Sequence, residues 1–238
     1  MKLLSYKKAA NDWTEALPLG NGRIGAMHFG GIEVDRFQLN EDTLWSGPPK
    51  KIENRDNKES LQSVRKLIDE ENYEEAINET KNMFGSYSQS YMPLGNLIIH
   101  YLHGDVALKY ERTLNIEKAL TFVKYTVGKV EFTREAFISH PHQVLAIQLS
   151  SSVPKQLNLS ISLDSLLKVK TLSKSEELIL QGVCPERCAP TYFHDNEQPI
   201  IYGEFGESQA IHFEGRVGVV LEDGQIESMN GKLSINNA

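Results

Sequence analysis

Residues Trp13 to Gly47 read WTEALPLGNGRIGAMHFGGIEVDRFQLNEDTLWSG, and they hold six of the chain's 17 glycines and both tryptophans. Glycine serves where the backbone takes positive φ or passes close to another group. Tryptophan is costly to leave exposed and brings one N–H that needs a partner. The stretch reads as a tight turn at Pro18–Gly22, a strand Ile24–Phe29, a turn at Gly30 and Gly31, and a strand Glu33–Leu39. A polar and aromatic loop, Asn40–Pro49, follows. The remaining sheet is expected to build onto this hairpin.

Working outward, 238 residues allow one large all-β domain or two ordinary ones. Apolar residues make up 40% and charged residues 24%, which suits a chain that buries a core. The net charge of −7 disfavours nucleic acid and anionic membrane, both of which call for a basic surface. The N-terminal segment has only two leucines as an apolar core, so no signal peptide is read and a cytoplasmic location is expected. No apolar run approaches the roughly 18 residues of a membrane span. Cys184 and Cys188 read as two free thiols, with His194 a weak third ligand, so no metal site is expected. Asn78-Glu79-Thr80 and Asn158-Leu159-Ser160 match the glycosylation pattern incidentally.

Lys50–Lys58 is charged and reads as a surface connection. Glu59–Glu70 and Tyr73–Phe84 then carry apolar residues at helical spacing, with Asn72 as a cap and Gly85 as a stop. A helical hairpin over 59–84 is predicted, covering a sheet edge or face. From Gly95 the period changes to two. Strands are predicted at Leu97–Leu102, Val106–Leu108, Arg112–Ile116, Lys118–Val127, Lys129–Ser139, Gln143–Ser150, Gln156–Asp164 and Glu177–Val183. In one, Ala119, Thr121, Val123, Tyr125 and Val127 share a face; in the next, Val130, Phe132, Arg134 and Ala136 do. Cys184–Pro199 reads as an irregular loop. Strands resume at Ile200–Tyr202, Gln209–Leu221, Gln225–Ser228 and Lys232–Ile235. About twelve short strands favour a large two-sheet antiparallel β-sandwich over a small barrel. The abrupt end after a strand suggests a fragment of a longer protein.

Gly20, Gly22 and Gly25 meet the dinucleotide spacing, but a strand follows where that fingerprint requires a helix. Glu41 and Asp42 lie beside Trp45, yet a glycosidase sets two carboxyl groups about 5–10 Å apart across a sugar. Adjacent residues cannot easily do that. A turn held by local side-chain bonds is the simpler reading. The histidines read as surface or satisfied core groups. No catalytic residue and no cofactor is assigned.

The segments WTEALPLGNGRIGAMHFGG and FQLNEDTLWSGPP resemble the start of the bacterial and plant α-L-fucosidases of glycoside hydrolase family 95. Tyr91–Leu97 is similar to that family's P-L-G-D-L segment, with Asn96 in place of Asp. Tyr110–Ile116 is similar to its Y-x-R-x-L-D-L strand, and Arg134–Pro141 to its R-E-x-F-x-S-x-P segment. At Gly182-Val183-Cys184-Pro185 the usual G-R-A-P is half kept. The resemblance implies a large β-sandwich at residues 1–238, followed in the longer protein by a helical linker, an (α/α)6 catalytic barrel and a β domain. It implies that the longer protein hydrolyses terminal α-L-fucosyl or related linkages with inversion. The acid, a Glu, and the asparagines and Asp that activate water all lie in the barrel, so none maps onto this sequence. This chain is then expected to be inactive alone. Its partners are expected to be that barrel and, through it, a fucosylated oligosaccharide. Asn40, Glu41 and Trp45 are the candidates for a rim facing barrel or sugar. An independent carbohydrate-binding module and a purely structural domain are the alternatives.

Overall fold

The computed structural model describes residues 2–49, 57–84, 88–192 and 197–238. In chain order the first strands are β1 (Leu3–Tyr6), β2 (Leu17–Gly20), β3 (Ile24–His28) and β4 (Val34–Glu41). Helices α1 (Lys58–Asp69) and α2 (Tyr73–Thr80) follow, and then β5 (Gly95–Tyr101), β6 (Leu108–Asn115), β7 (Leu120–Val127), β8 (Val130–Ser139) and β9 (Val144–Ser151). The rest are β10 (Leu159–Asp164), β11 (Lys168–Lys174), β12 (Glu177–Val183), β13 (Arg187–Cys188), β14 (Ile200–Ile201), β15 (His212–Gly218), β16 (Gln225–Met229) and β17 (Lys232–Asn236).

The fold is mainly β, as expected, and every strand pairing is antiparallel. A seven-stranded sheet runs β16-β17-β10-β5-β4-β3-β2. Register fixes its inner face. Phe37 stands opposite Leu97 and His28; Ile99 stands opposite Ile161 and Asp35; Leu159 stands opposite Tyr101 and Ile235. Directly opposed residues point the same way, so these side chains form one continuous floor. Two smaller sheets lie side by side over that floor. The five-stranded one, β1-β6-β7-β8-β9, packs on β2 and β3; the three-stranded one, β11-β12-β15, packs on β10, β16 and β17. Leu114, Ala136 and Ile138 of the first, and Leu178 and Leu180 of the second, join the floor residues in one buried cluster. The expected sandwich is therefore present, with one of its two layers divided.

Several boundaries differ from the sequence reading. Leu17–Gly20 is a strand rather than the start of a turn; the turn is Asn21-Gly22, where Gly22 has φ +94° and Asn21 Oδ1 accepts the Arg23 and Ile24 N–H groups. The two strands predicted at Val106–Leu108 and Arg112–Ile116 merge into one, β6, which starts only at Leu108, ends at Asn115 and carries a register shift between Leu108 and Glu111. Ala119 sits in a turn at φ +50° and is exposed, while Thr121, Val123 and Tyr125 do share the buried face. β11 is an added strand. The Cys184–Pro199 loop contains the short β13, laddered to β14; His194 and Gly85 lie outside the described residues, as does most of Lys50–Lys58. The helical hairpin forms, but it packs chiefly on itself rather than over a sheet. Leu61, Ile68, Tyr73 and Ile77 are exposed, and Asn72 caps α2 through its backbone carbonyl alone.

A polar network joins the layers beside the apolar cluster. Asp35, on β4, is fully buried and pairs with Arg134 on β8 of the facing sheet. Oδ2, the oxygen that meets Arg134, also takes a hydrogen bond from His28 Nε2 at 2.9 Å, while Oδ1 accepts the Gly31 and Arg36 N–H groups. Arg134 also donates to the Gly31 carbonyl at 2.6 Å and to the Tyr125 hydroxyl at 2.8 Å. Its guanidinium lies over the Tyr101 ring at 4.4 Å. Burial alone would push the Asp35 carboxyl up, but His28 and Arg134 outweigh it and hold it well below the usual carboxylate range. The Gly30-Gly31 turn is thus the socket of the cross-sheet pair. A Cβ on Gly31 would sit 1.8 Å from the Val34 carbonyl oxygen.

Candidate functional site

β4 carries the Asp35 lock near its start and the candidate rim at its end. Asn40 and Glu41 belong to the strand, two residues beyond the expected boundary, because Glu41 pairs with Ile24 and Asn40 with Gly25. The chain then turns through Asp42 and Thr43 and buries Leu44 in a second apolar cluster with Met92, Val183, Cys184 and Ala210. That anchor brings Trp45 into an isolated bridge with Tyr91. Ser46 N–H donates to the Ser90 carbonyl and Gly47 N–H to the Pro185 carbonyl. Three distant segments, 40–47, 88–92 and 184–188, are knitted together here.

Tyr91 is the centre of the rim. Its hydroxyl donates to the Glu41 carbonyl at 3.1 Å and accepts from Asn40 Nδ2. Its ring meets the Trp45 ring at 5.1 Å and 59°. Trp45 places its N–H on the Asp42 carbonyl at 3.1 Å, and 40% of the residue remains exposed. Asn40, Glu41 and Trp45 are therefore one assembled patch, organised by a residue that the sequence reading used only as part of a family segment. The tyrosine opening the Tyr91–Leu97 match was the signal available for it.

The Glu41 carboxylate is already engaged. One oxygen takes Arg23 Nε at 2.9 Å, and the other takes the Thr43 N–H and hydroxyl at 2.8 and 2.6 Å. Partial burial raises its pKa, but the Thr43 and Arg23 bonds outweigh it and leave the group below its ordinary value. A general acid needs the opposite shift. The patch offers two tilted aromatic faces edged by an amide, an arginine and a carboxylate, which suits stacking and hydrogen bonding rather than bond cleavage.

A carboxylate–imidazole–hydroxyl relay does exist elsewhere. Asp35 holds His28 Nε2, and His28 Nδ1 shares a hydrogen bond with Thr121 Oγ1 at 2.9 Å. A nucleophile must meet its substrate. All three residues are fully buried, and Thr121 also bonds the Ala136 carbonyl across the strand pair. This relay is structural. Cys184 and Cys188 are free thiols, and burial pushes Cys184 up to about 11. Among the described residues no helix is long and apolar enough to cross a membrane.

The architecture is thus an antiparallel β-sandwich with one divided layer. Over residues 4–238 the chain matches the family model "Glycosyl hydrolase family 65, N-terminal domain", and it belongs to that family. It is 34% identical over 244 residues to α-L-fucosidase 2 of Arabidopsis thaliana, which covers 99% of this chain and 29% of that protein. It is 28% identical over 194 residues to the probable α-fucosidase A of Aspergillus oryzae, covering 77% of this chain and 27% of that one. For the probable α-fucosidase A of Aspergillus niger the figures are 31% over 148 residues, 58% and 18%. These matches agree with the family-95 type of N-terminal domain expected from the sequence. The chain spans less than a third of the length of the curated relatives it matches.

Proposed function

We propose that this chain is the non-catalytic N-terminal domain of an α-L-fucosidase-like glycoside hydrolase. In this reading the catalytic residues lie in a separate barrel domain of the longer protein, and the Asn40–Trp45 rim with Tyr91 faces that barrel or its sugar. The observation that carries the reading is the unequal overlap with the Arabidopsis enzyme: nearly all of this chain, under a third of that one. The engaged Glu41 carboxylate and the buried His28 relay support a domain without turnover of its own.

The test is an assay of the 238-residue chain and of the longer encoded protein on an aryl α-L-fucoside. The longer protein should hydrolyse it and the chain alone should not. Turnover by the 238-residue chain, or none by the longer protein, rejects the proposal. Trp13 is 59% exposed, which favours examining a second reading as a free carbohydrate-binding module. Titration of the chain with fucosylated oligosaccharides decides it: binding at about millimolar affinity or tighter supports a module.

A further inference from the structure

The divided layer leaves a cavity of about 1280 Å³ running between the edge strands β9 and β15. Its floor is apolar, from Leu39, Leu97 and Ile99 of the seven-stranded sheet. Its walls are Ile147 and Leu149 from β9 and Val217 from β15. The five-stranded sheet covers β2 and β3, and the three-stranded sheet covers β10, β16 and β17, so the open floor is centred on β4 and β5. At about 4.8 Å per strand, the uncovered width admits one or two strands.

The edges differ in how they are protected. Free edges are normally kept from pairing by proline, lysine, bulges or short length. β2 carries Pro18; β11 carries Lys168, Lys170 and Lys174; β1 has four residues. β9 has eight residues, Val144-Leu145-Ala146-Ile147-Gln148-Leu149-Ser150-Ser151, with no charge and no proline, in unbroken register with β8. Its outer side is thus an unguarded template beside an open apolar floor. Ala238 lines the same cavity, held to Leu157 by a pair of backbone hydrogen bonds.

We propose that this groove receives one or two β-strands from the polypeptide that follows Ala238 in the longer protein, pairing with β9 and completing the divided layer. The inserted strand would alternate apolar residues toward Leu97 and Ile99 with polar ones toward solvent. The inference rests on the reading of this chain as one domain of a longer glycosidase.

Hydrogen exchange of the β9 amides, measured in the 238-residue chain and in the longer encoded protein, tests it. Amides on the outer side of β9 should exchange about tenfold or more slowly in the longer protein. Equal rates overturn the proposal. Protection in the short chain that rises with its concentration also overturns it, in favour of a second copy as the occupant. If the short chain does not fold alone, thiol labelling in the longer protein serves, in a Cys188→Ser background. Ile147→Cys should then label about tenfold more slowly than Gln148→Cys on the outward face, and comparable rates overturn the proposal. Fucoside hydrolysis by the longer protein is scored separately. Activity with an unprotected β9 sinks this inference alone; protection without activity sinks the functional reading alone.

Discussion

At the scale of single residues, the Asp35–Arg134 pair is the most consequential contact between the layers. Both groups are buried, so removing one charge leaves the other uncompensated. Asp35→Asn should destabilise the domain by about 3–5 kcal/mol, measured by denaturant unfolding. The pH dependence follows from the depressed Asp35 pKa. The unfolded state binds its proton first, so the contribution is fully present above the ordinary aspartate range and is lost as pH falls toward the folded value. Unfolding measured against pH should show a steep acid limb that flattens in Asp35→Asn. His103 adds a milder one. Burial, aided by the Arg134 charge, lowers its pKa, and its Nε2 meets the Tyr125 hydroxyl while Nδ1 meets the Gly104 carbonyl. A histidine whose pKa falls on folding weakens the native state once pH drops below about 6.5, and His103→Gln should remove that part of the profile. Gly31→Ala is a sharper test of the socket. Its Cβ would collide with backbone, not with a movable side chain, so loss of cooperative folding or a drop in Tm is expected on thermal unfolding.

At the scale of elements, the strands that the sequence did not reveal share a physical cause. β1, β2 and β11 are all edge strands. β1 is exposed along its whole length, so it carries no alternation. β2 contains Pro18, which reads as a turn yet is tolerated where no neighbour needs its N–H. β11 alternates lysines outward, and its Leu172 is exposed, so its pattern reads as polar. The central strands, buried on one face, were legible from period two alone. Arg134 was also placed correctly between Phe132 and Ala136, but its partner lies 99 residues away and no local pattern names it. The rim was legible as a cluster and not as a geometry, because Tyr91 reaches Asn40 and Glu41 only once the sheet is folded. Asn96, which departs from the family's usual Asp, donates to the Asp164 side chain on the adjacent strand at 2.6 Å. Asn96→Asp would set two carboxylates face to face. A loss of about 0.5–1 kcal/mol near neutral pH is expected, recovered as acid protonates the pair, and urea titration at two pH values reads it.

At the scale of the whole molecule, the helical hairpin and the rim belong to one region of the chain. The hairpin leaves the sheet after the 40–49 loop and returns to it at 88–92, the two segments that Trp45 and Tyr91 bridge. Among its described apolar residues Ala76 is buried, while Leu61, Ile68, Tyr73 and Ile77 are exposed, Ile77 at 65%. In the proposed parent enzyme, rim and hairpin would present aromatic and apolar surface together, beside the sheet rather than across it. Trp45 separates the possible roles. Its indole N–H is anchored by Asp42 and its ring by Tyr91, so Trp45→Phe should keep the aromatic contact and lose only the N–H bond. Trp45→Ala removes the face itself. In the longer protein Trp45→Ala should raise KM severalfold with kcat nearly unchanged if the ring meets sugar, because only uniform binding is lost. If it meets the barrel, Tm should fall instead, and Ile77→Asp should lower Tm with it while leaving the 238-residue chain within about 0.5 kcal/mol of its parent. Steady-state kinetics and thermal unfolding on the three variants distinguish these outcomes. Unchanged KM, kcat and Tm in Trp45→Ala would remove the rim from the functional account and leave the sandwich as a scaffold alone.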